Sequence, residues 1–171
     1  MHIDDVYLLD VRSKKEFALL LIDLDEFKEV NDTLGHDFGD ELLIQASHRI
    51  AHSLRKSDTV ARLGGDEFVV ILDDIEVNQG VEKAANKIHS TLSEPFSLNG
   101  ESAYISASIG ITIYPQDTSD PVILLRNADQ AMYAAKASGR NNFQYFTEKM
   151  QQQALKRRNL GNDLRRAVIE H

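Results

Sequence analysis

The chain has 171 residues, 42% of them hydrophobic and 27% charged, with no cysteine, and carries a net charge of −8. That length suits one compact domain able to bury about 70% of the surface its unfolded chain would expose, and the balance of apolar and charged residues excludes wholesale disorder. The lack of cysteine excludes a disulfide scaffold, a thiolate zinc site and a cysteine nucleophile, and it suits a reducing, cytoplasmic setting.

Residues 17–24, FALLLIDL, read as a buried strand: short, apolar and followed at once by acids. Its unbroken apolar run is six residues, far short of the ~20 that span a bilayer. No basic-then-apolar leader opens the chain, so neither a signal peptide nor membrane contact is expected of this segment. From Asp25 the pattern turns helical, with a short helix over 26–34 stopped by Gly35. A longer helix begins near Asp37 to Asp40 and puts Leu43, Ala46, Ile50 and Leu54 on one apolar face. Strands at 59–63 and 67–72 flank Gly64-Gly65-Asp66, a hairpin signal. Val81, Ala84, Ala85, Ile88 and Leu92 mark the next helix, with Pro95 beyond its end, and 96–103, broken by Asn99-Gly100, suits a small hairpin. Ile105, Ala107, Ile109, Ile111 and Ile113 then alternate with Ser106, Ser108, Gly110 and Thr112, a strict period of two that Pro115 ends. A helix with Val122, Leu125, Ala128, Met132 and Ala135 on one face follows, closed by Gly139, and 142–146 is a last short strand.

Residues 147–169 form a polar helical tail, basic in character: 147–171 hold six Lys/Arg against three acids. Residues 1–146 hold 13 Lys+Arg against 24 Asp+Glu, a net −11. A body so acidic repels a nucleic-acid backbone, and the tail has no interleaved aromatics, so no nucleic-acid partner is expected. The element order, β-α-α-β-β-α-β-α-β with a minor hairpin inserted, resembles the split βαβ or ferredoxin-like plan. The expected fold is α+β: a central, mostly antiparallel sheet of about five strands, flanking helices and a C-terminal linker helix.

Two acidic groups stand out by position. Asp23 and Asp25 fall where the first strand ends, and Asp66 and Glu67 lie at the tip of the glycine hairpin. If that strand pairs beside the hairpin, Asp23 and Asp66 converge on one cation. Mg²⁺ takes few protein carboxylates and completes its octahedron with phosphate oxygens and water. A metal so placed neutralises phosphate charge and activates an attacking hydroxyl. On spacing alone, acids at strand ends and turn tips also read as simply solvated. His48 and His52 stand four apart on a helix, the spacing of a metal pair, but no third ligand is evident.

The string Asp23-Leu-Asp-Glu-Phe-Lys-Glu-Val-Asn-Asp-Thr-Leu-Gly-His36, then Gly39-Asp40, and the string Arg62-Leu-Gly-Gly-Asp-Glu-Phe68 resemble the GGDEF family of diguanylate cyclases. So do Ser108-Ile109-Gly110 and Ala134-Ala-Lys-Ala-Ser-Gly-Arg-Asn141, and the blocks follow in family order between 17 and 146. The resemblance implies the nucleotidyl cyclase palm fold and the condensation of two GTP into cyclic di-GMP with release of two pyrophosphates. It implies Mg²⁺ or Mn²⁺ held by Asp23, Asp66 and the Leu24 carbonyl. Glu67 would then stand beside the attacking 3′-hydroxyl, as its base or as a further metal ligand. Asn31 and Asp40 would read the guanine edge, Phe27 would be a further substrate contact, and Lys28, Lys136 and Arg140 would neutralise the triphosphate. Gly64 and Gly65 would let backbone approach the nucleotide closely. Arg55-Lys-Ser-Asp58, with Asp58 six residues before Gly64, matches the family's product-inhibition site, where the two outer residues clamp a cyclic di-GMP dimer. Other uses stay open: helix caps for Asn31 and Asp40, the helix dipole for Lys136 and Arg140, and a helix-end salt bridge for Arg55 with Asp58.

The family's amino-terminal Asp-x-Leu-Thr block and Asn-Arg helix are not recognisable in 1–16, and Leu63 stands where tyrosine is frequent. Residues 160–167, LGNDLRRA, resemble the linker to an EAL-type phosphodiesterase domain. The expected organisation is a truncated lead-in at 1–16, the GGDEF domain at 17–146, and a linker at 147–171 toward an EAL-type domain in a longer parent. Implied partners are GTP, cyclic di-GMP, that linked domain and a second copy in a transient homodimer. Two alternatives to a working cyclase are a non-catalytic GTP-binding module regulating an attached phosphodiesterase, and a cyclic di-GMP receptor acting through Arg55 and Asp58.

Overall fold

FALLLIDL forms β1 (Phe17–Leu24), and all eight residues are buried, as they must be when helices cover both faces of a sheet. The structure is a computed structural model that describes residues 16–73 and 79–156. On one side β1 pairs antiparallel with β3 (Glu67–Asp73), which pairs antiparallel with β2 (Thr59–Gly64). On the other it pairs antiparallel with β6 (Ala107–Tyr114), which pairs parallel with β7 (Asn142–Tyr145). The five-stranded order is β2-β3-β1-β6-β7, and β4 (Phe96–Leu98) and β5 (Glu101–Ala103) form a separate hairpin.

The helices are α1 (Phe27–Leu34), α2 (His36–Ser53), α3 (Gln79–Leu92) and α4 (Pro121–Ala137). Leu42, Ala46 and Ile50 of α2 and Val81, Ala85 and Ile88 of α3 close one core against Leu20, Ile22, Val70 and Ile109. Leu124, Ala128 and Met132 of α4 join a second core with Phe17, Leu19, Leu21 and Ile71 on the opposite face. This is the expected α+β palm plan. Residues 148–156 are helical, whereas the lead-in at 1–15 and the linker from 157 onward lie outside the described residues. Among the described residues no helix is long and apolar enough to cross a membrane.

Local details differ from the sequence reading. The longer helix starts at His36, leaving only Gly35 between α1 and α2. Val122 does not belong to the buried stripe of α4: it is 79% exposed in the first turn, where Asp120 caps the amides of Val122 and Ile123 at 2.8 and 3.2 Å. The stripe runs instead through Leu124, Ala128, Ala131 and Ala135. The alternating strand β6 is buried on both faces. Its small polar residues lie under α4, and at Gly110 a Cβ would run into the Ala128 carbonyl and the Met132 backbone.

One side chain ties α2 to the end of α3. Arg49 donates to the carbonyls of Thr91, Glu94 and Pro95 at 2.9, 2.7 and 2.6 Å, and its guanidinium stacks 3.7 Å over the Phe96 ring. It thereby satisfies helix-end carbonyls that lack an intrahelical partner.

Candidate active site

Strand pairing brings the acids together. Asp23, at the end of β1, stands opposite Glu67 of β3 and Ser108 of β6. Asp66 occupies the two-residue turn between Gly64 and Glu67, and its carbonyl accepts the Leu24 N–H at 3.2 Å. The turn is thus fastened to the end of β1. Gly65 has φ 54°, a left-handed conformation that glycine adopts without steric cost. Arg62 holds it from below, donating Nε and Nη2 to the Gly65 carbonyl at 3.0 and 2.8 Å. No atom lies within 4 Å of the positions a Cβ would take on Gly64 or Gly65, so the space over the hairpin is open.

Asp23 is only 7% exposed, and its Oδ2 lies 2.7 Å from Lys136 Nζ on the last turn of α4. Burial raises its carboxyl above the usual range against the pull of Lys136, with Asp66 and Asp25 adding repulsion. Burial likewise raises Glu67, helped by Asp23, Asp66 and Asp129 and opposed by Lys136. The cluster is short of positive charge. Its donors are oxygens, which suit a hard divalent cation held by Asp23, Asp66 and the backbone at Leu24. Among the described residues no group of three His, Cys, Asp or Glu side chains is set to hold a metal alone. A cation here would therefore draw on phosphate oxygens as well, which is the habit of Mg²⁺. His48 and His52 make no such site: His52 Nδ1 lies 2.7 Å from the His48 carbonyl, one turn back on the same helix.

The single-residue link between α1 and α2 creates a second group, in which Asp40 lines one cavity with Arg62, the residue that holds the Gly65 carbonyl. A Cβ on Gly39 would collide with the Asn31 side chain and stand 3.2 Å from Phe27 Cζ. The Asn31 amide therefore lies over Gly39, next to exposed Asp40. Asn31 sits inside α1 and Asp40 inside α2, and neither helix has a side-chain cap at its N-terminus, so the capping alternative falls. Lys28 is exposed in the first turn of α1, and Arg140 is exposed just after α4.

Arg55 and Asp58 lie elsewhere, at the start of β2. That strand of six residues places them about 20 Å from the hairpin. Asp58 Oδ2 accepts the backbone N–H of Arg55 at 2.8 Å, and the Asp58 N–H returns to the Arg55 carbonyl at 3.1 Å. No ion pair joins the two side chains, and the Arg55 side chain is exposed. The salt-bridge alternative falls too: Asp58 shapes the turn on which Arg55 is displayed.

Sequence reasoning missed Asp25 as anything but another acid at a strand end. It is 3% exposed and accepts hydrogen bonds from Ser106 Oγ at 2.6 Å, Ser108 Oγ at 2.7 Å and the Asn141 N–H at 3.1 Å. The available signal was the pair of serines two apart, Ser106 and Ser108, at the start of the alternating segment.

A family model described as diguanylate cyclase, GGDEF domain, matches residues 4–142. The chain is 44% identical over 160 residues to the bifunctional diguanylate cyclase/cyclic di-GMP phosphodiesterase MucR of Pseudomonas aeruginosa, aligning 92% of this chain with 23% of that protein. It is 40% identical over 154 residues to the cyclic di-GMP phosphodiesterase NbdA of the same organism, aligning 90% of this chain with 20% of that one. It thus spans less than a quarter of the length of either relative. It superposes on the GGDEF domain of TpbB, also from Pseudomonas aeruginosa, with a TM-score of 0.85 and 36% identity, covering 89% of this chain and 91% of that one.

Proposed function

The chain belongs to the GGDEF family of diguanylate cyclases, and from that premise we propose that it condenses two GTP into cyclic di-GMP and releases two pyrophosphates. The observation that carries this reading is the meeting of Asp23, Asp66, Glu67 and Lys136 beside an open glycine hairpin, with Asp40 lining one cavity with the Arg62 that holds that hairpin.

In this reading Asn31 and Asp40 recognise guanine: an amide and a carboxylate together match its O6 acceptor and its N1 and N2 donors. Phe27 packs beside them. Lys28, Lys136 and Arg140 neutralise the triphosphate, which lies over Gly64 and Gly65 where no Cβ intrudes. Asp23, Asp66 and the Leu24 carbonyl hold the divalent cation, Mg²⁺ or Mn²⁺; when bound, it offsets triphosphate charge and eases ionisation of the attacking hydroxyl. Glu67, opposite Asp23 in the β1–β3 pairing, stands beside the attacking 3′-hydroxyl as its base or as a further ligand of the cation.

Each domain offers one nucleotide site, whereas the product joins two nucleotides head to tail. Two copies must therefore face each other across a two-fold axis, in a transient homodimer that sets each 3′-hydroxyl on the partner's α-phosphate. Exposed Arg55, on the turn that Asp58 shapes, supplies a guanidinium for clamping cyclic di-GMP as an inhibitor. GTP as substrate places the domain in the cytoplasm, and the likeness to MucR supports a linked EAL-type domain in a longer parent.

The likeness to NbdA, named for phosphodiesterase activity alone, favours a second reading in which the domain binds GTP and regulates an attached hydrolase without turnover. Incubation with GTP and Mg²⁺ followed by chromatography separates the two. Cyclic di-GMP made by the wild type and not by Asp66→Ala supports the cyclase. Intact GTP with measurable binding supports the regulatory module. Binding of cyclic di-GMP alone supports a receptor.

A further inference from the structure

We propose that Asp25 is a positioning residue for the triphosphate site, acting through the backbone from which Arg140 projects; the inference rests on the reading of Arg140 as a triphosphate ligand. Asp25 is buried and forms no ion pair among the described residues. A carboxylate out of water without a cation must be held by hydrogen bonds, and this one receives three. Ser108 Oγ donates to Oδ1, and Ser106 Oγ and the Asn141 N–H donate to Oδ2. Two of these donors belong to the β6 end of the sheet. The third lies 116 residues along the chain, in the turn after α4.

That turn needs holding. Gly139, Arg140 and Asn141 have φ of 115°, 60° and 51°, and a left-handed backbone is unfavourable for arginine and asparagine. Each peptide group around Arg140 is tied down. Its N–H donates to the Ala135 carbonyl at 3.1 Å, its carbonyl accepts from Asn142 Nδ2 at 2.7 Å, and the next N–H goes to Asp25. Of these, the bond to Asp25 is the charge-assisted one, and so the strong one.

The same residue is fixed to the metal end of the site. The Asp25 N–H donates to the Ser106 carbonyl at 2.9 Å, and Asp25 follows Asp23 and Leu24 in the chain. One side chain thus links the end of β1, where the cation ligands sit, to the turn that presents Arg140. Asp25 touches no substrate. It sets the span between two groups that do.

The test is a double-mutant cycle on the full chain with Mg²⁺, titrating 3′-deoxy-GTP, which lacks the attacking hydroxyl and cannot condense. Asp25→Asn should weaken 3′-deoxy-GTP by about tenfold, the scale of one charge-assisted hydrogen bond. Affinity for GMP, which lacks the β- and γ-phosphates, should stay within about twofold. In an Arg140→Ala background Asp25→Asn should cost nothing further. Wild-type affinity in Asp25→Asn, or a loss that adds in full to that of Arg140→Ala, overturns the proposal. Wild-type affinity in Arg140→Ala removes the triphosphate reading and the inference with it. Should Asp25→Asn fail to fold, Ser106→Ala removes one hydroxyl and should give a smaller loss with the same dependence on Arg140; unchanged affinity there overturns the proposal as well.

Discussion

Lys136 Nζ lies 2.7 Å from Asp23 Oδ2, so the ammonium proposed to serve the triphosphate is bound to a carboxylate proposed to hold the cation. One oxygen has two claimants. A divalent cation at Asp23 would repel Lys136, and a triphosphate arriving with that cation would offer the ammonium new oxygens.

Competition of this kind has opposite effects on two ligands. Lys136→Met should tighten binding of Mn²⁺ alone by on the order of tenfold, because it removes a like charge within a few ångströms. The same change should weaken 3′-deoxy-GTP. Calorimetric titration of each ligand checks both signs, and Mn²⁺ affinity left at the wild-type value would show that Lys136 and the cation do not share Asp23.

Glu67 makes stability depend on pH. Burial and the neighbouring acids raise its folded-state pKa above the unfolded value, so its ionisation opposes folding. The penalty is full above the raised value and disappears as pH falls toward the ordinary glutamate range near about 4.3. Glu67→Gln should therefore melt higher than the wild type at pH 8 in the presence of a chelator. The gap should close as the solution is acidified. Melting curves across that range test it, and a gap that ignores pH would assign the effect to another group.

Gly39 sets two effects against each other. Alanine is favoured over glycine inside a helix by roughly 1 kcal/mol, whereas its Cβ would strike the Asn31 side chain. A side-chain amide can rotate away, so the stability of Gly39→Ala should stay within about 1 kcal/mol of wild type. Base recognition should not survive the rotation. The preference for GTP over ATP, measured by competition, is expected to collapse, and retained preference would remove Asn31 from the guanine site.

Arg55 is remote from the acids, and its backbone rather than its guanidinium is bound to Asp58. Arg55→Ala should leave the initial rate of GTP turnover unchanged while weakening cyclic di-GMP by at least about tenfold, the cost of a lost charged contact. Titration with cyclic di-GMP decides: equal affinity in the two proteins would reduce residues 55–58 to a turn.

Much of the fold was legible because its signals are local. FALLLIDL, the period of two before Pro115 and the glycine hairpin each declare a strand or a turn within a few residues. Placing Asp23 near Asp66 needed only the pairing of β1 with β3. What escaped depends on how distant elements dock. The Lys136–Asp23 pair joins residues more than a hundred apart and exists because α4 lies across the sheet at one height. Asp23 and Asp25 look alike in sequence, and strand alternation alone would set them on one face; β1 ends at Leu24, however, and Asp25, just beyond it, is taken up by Ser106 and Ser108. The period of two in β6 was plain, but the cover over Ser108, Gly110 and Thr112 depends on how closely α4 docks there.

At Gly110 the sheet and α4 meet backbone to backbone, and that contact works as a fixed datum. Elsewhere in the core the spacing between layers is the sum of side-chain sizes and drifts as methyl groups are gained or lost. Here the gauge is made of peptide atoms, whose dimensions are the same in every residue. Lys136 stands one turn beyond Met132 on the same helix, so its reach to Asp23 is calibrated by a joint that core substitutions do not reset. Exchanges between α2, α3 and the far face of the sheet can accumulate as dimensional slack without changing the width of the end where Asp23 and Lys136 meet.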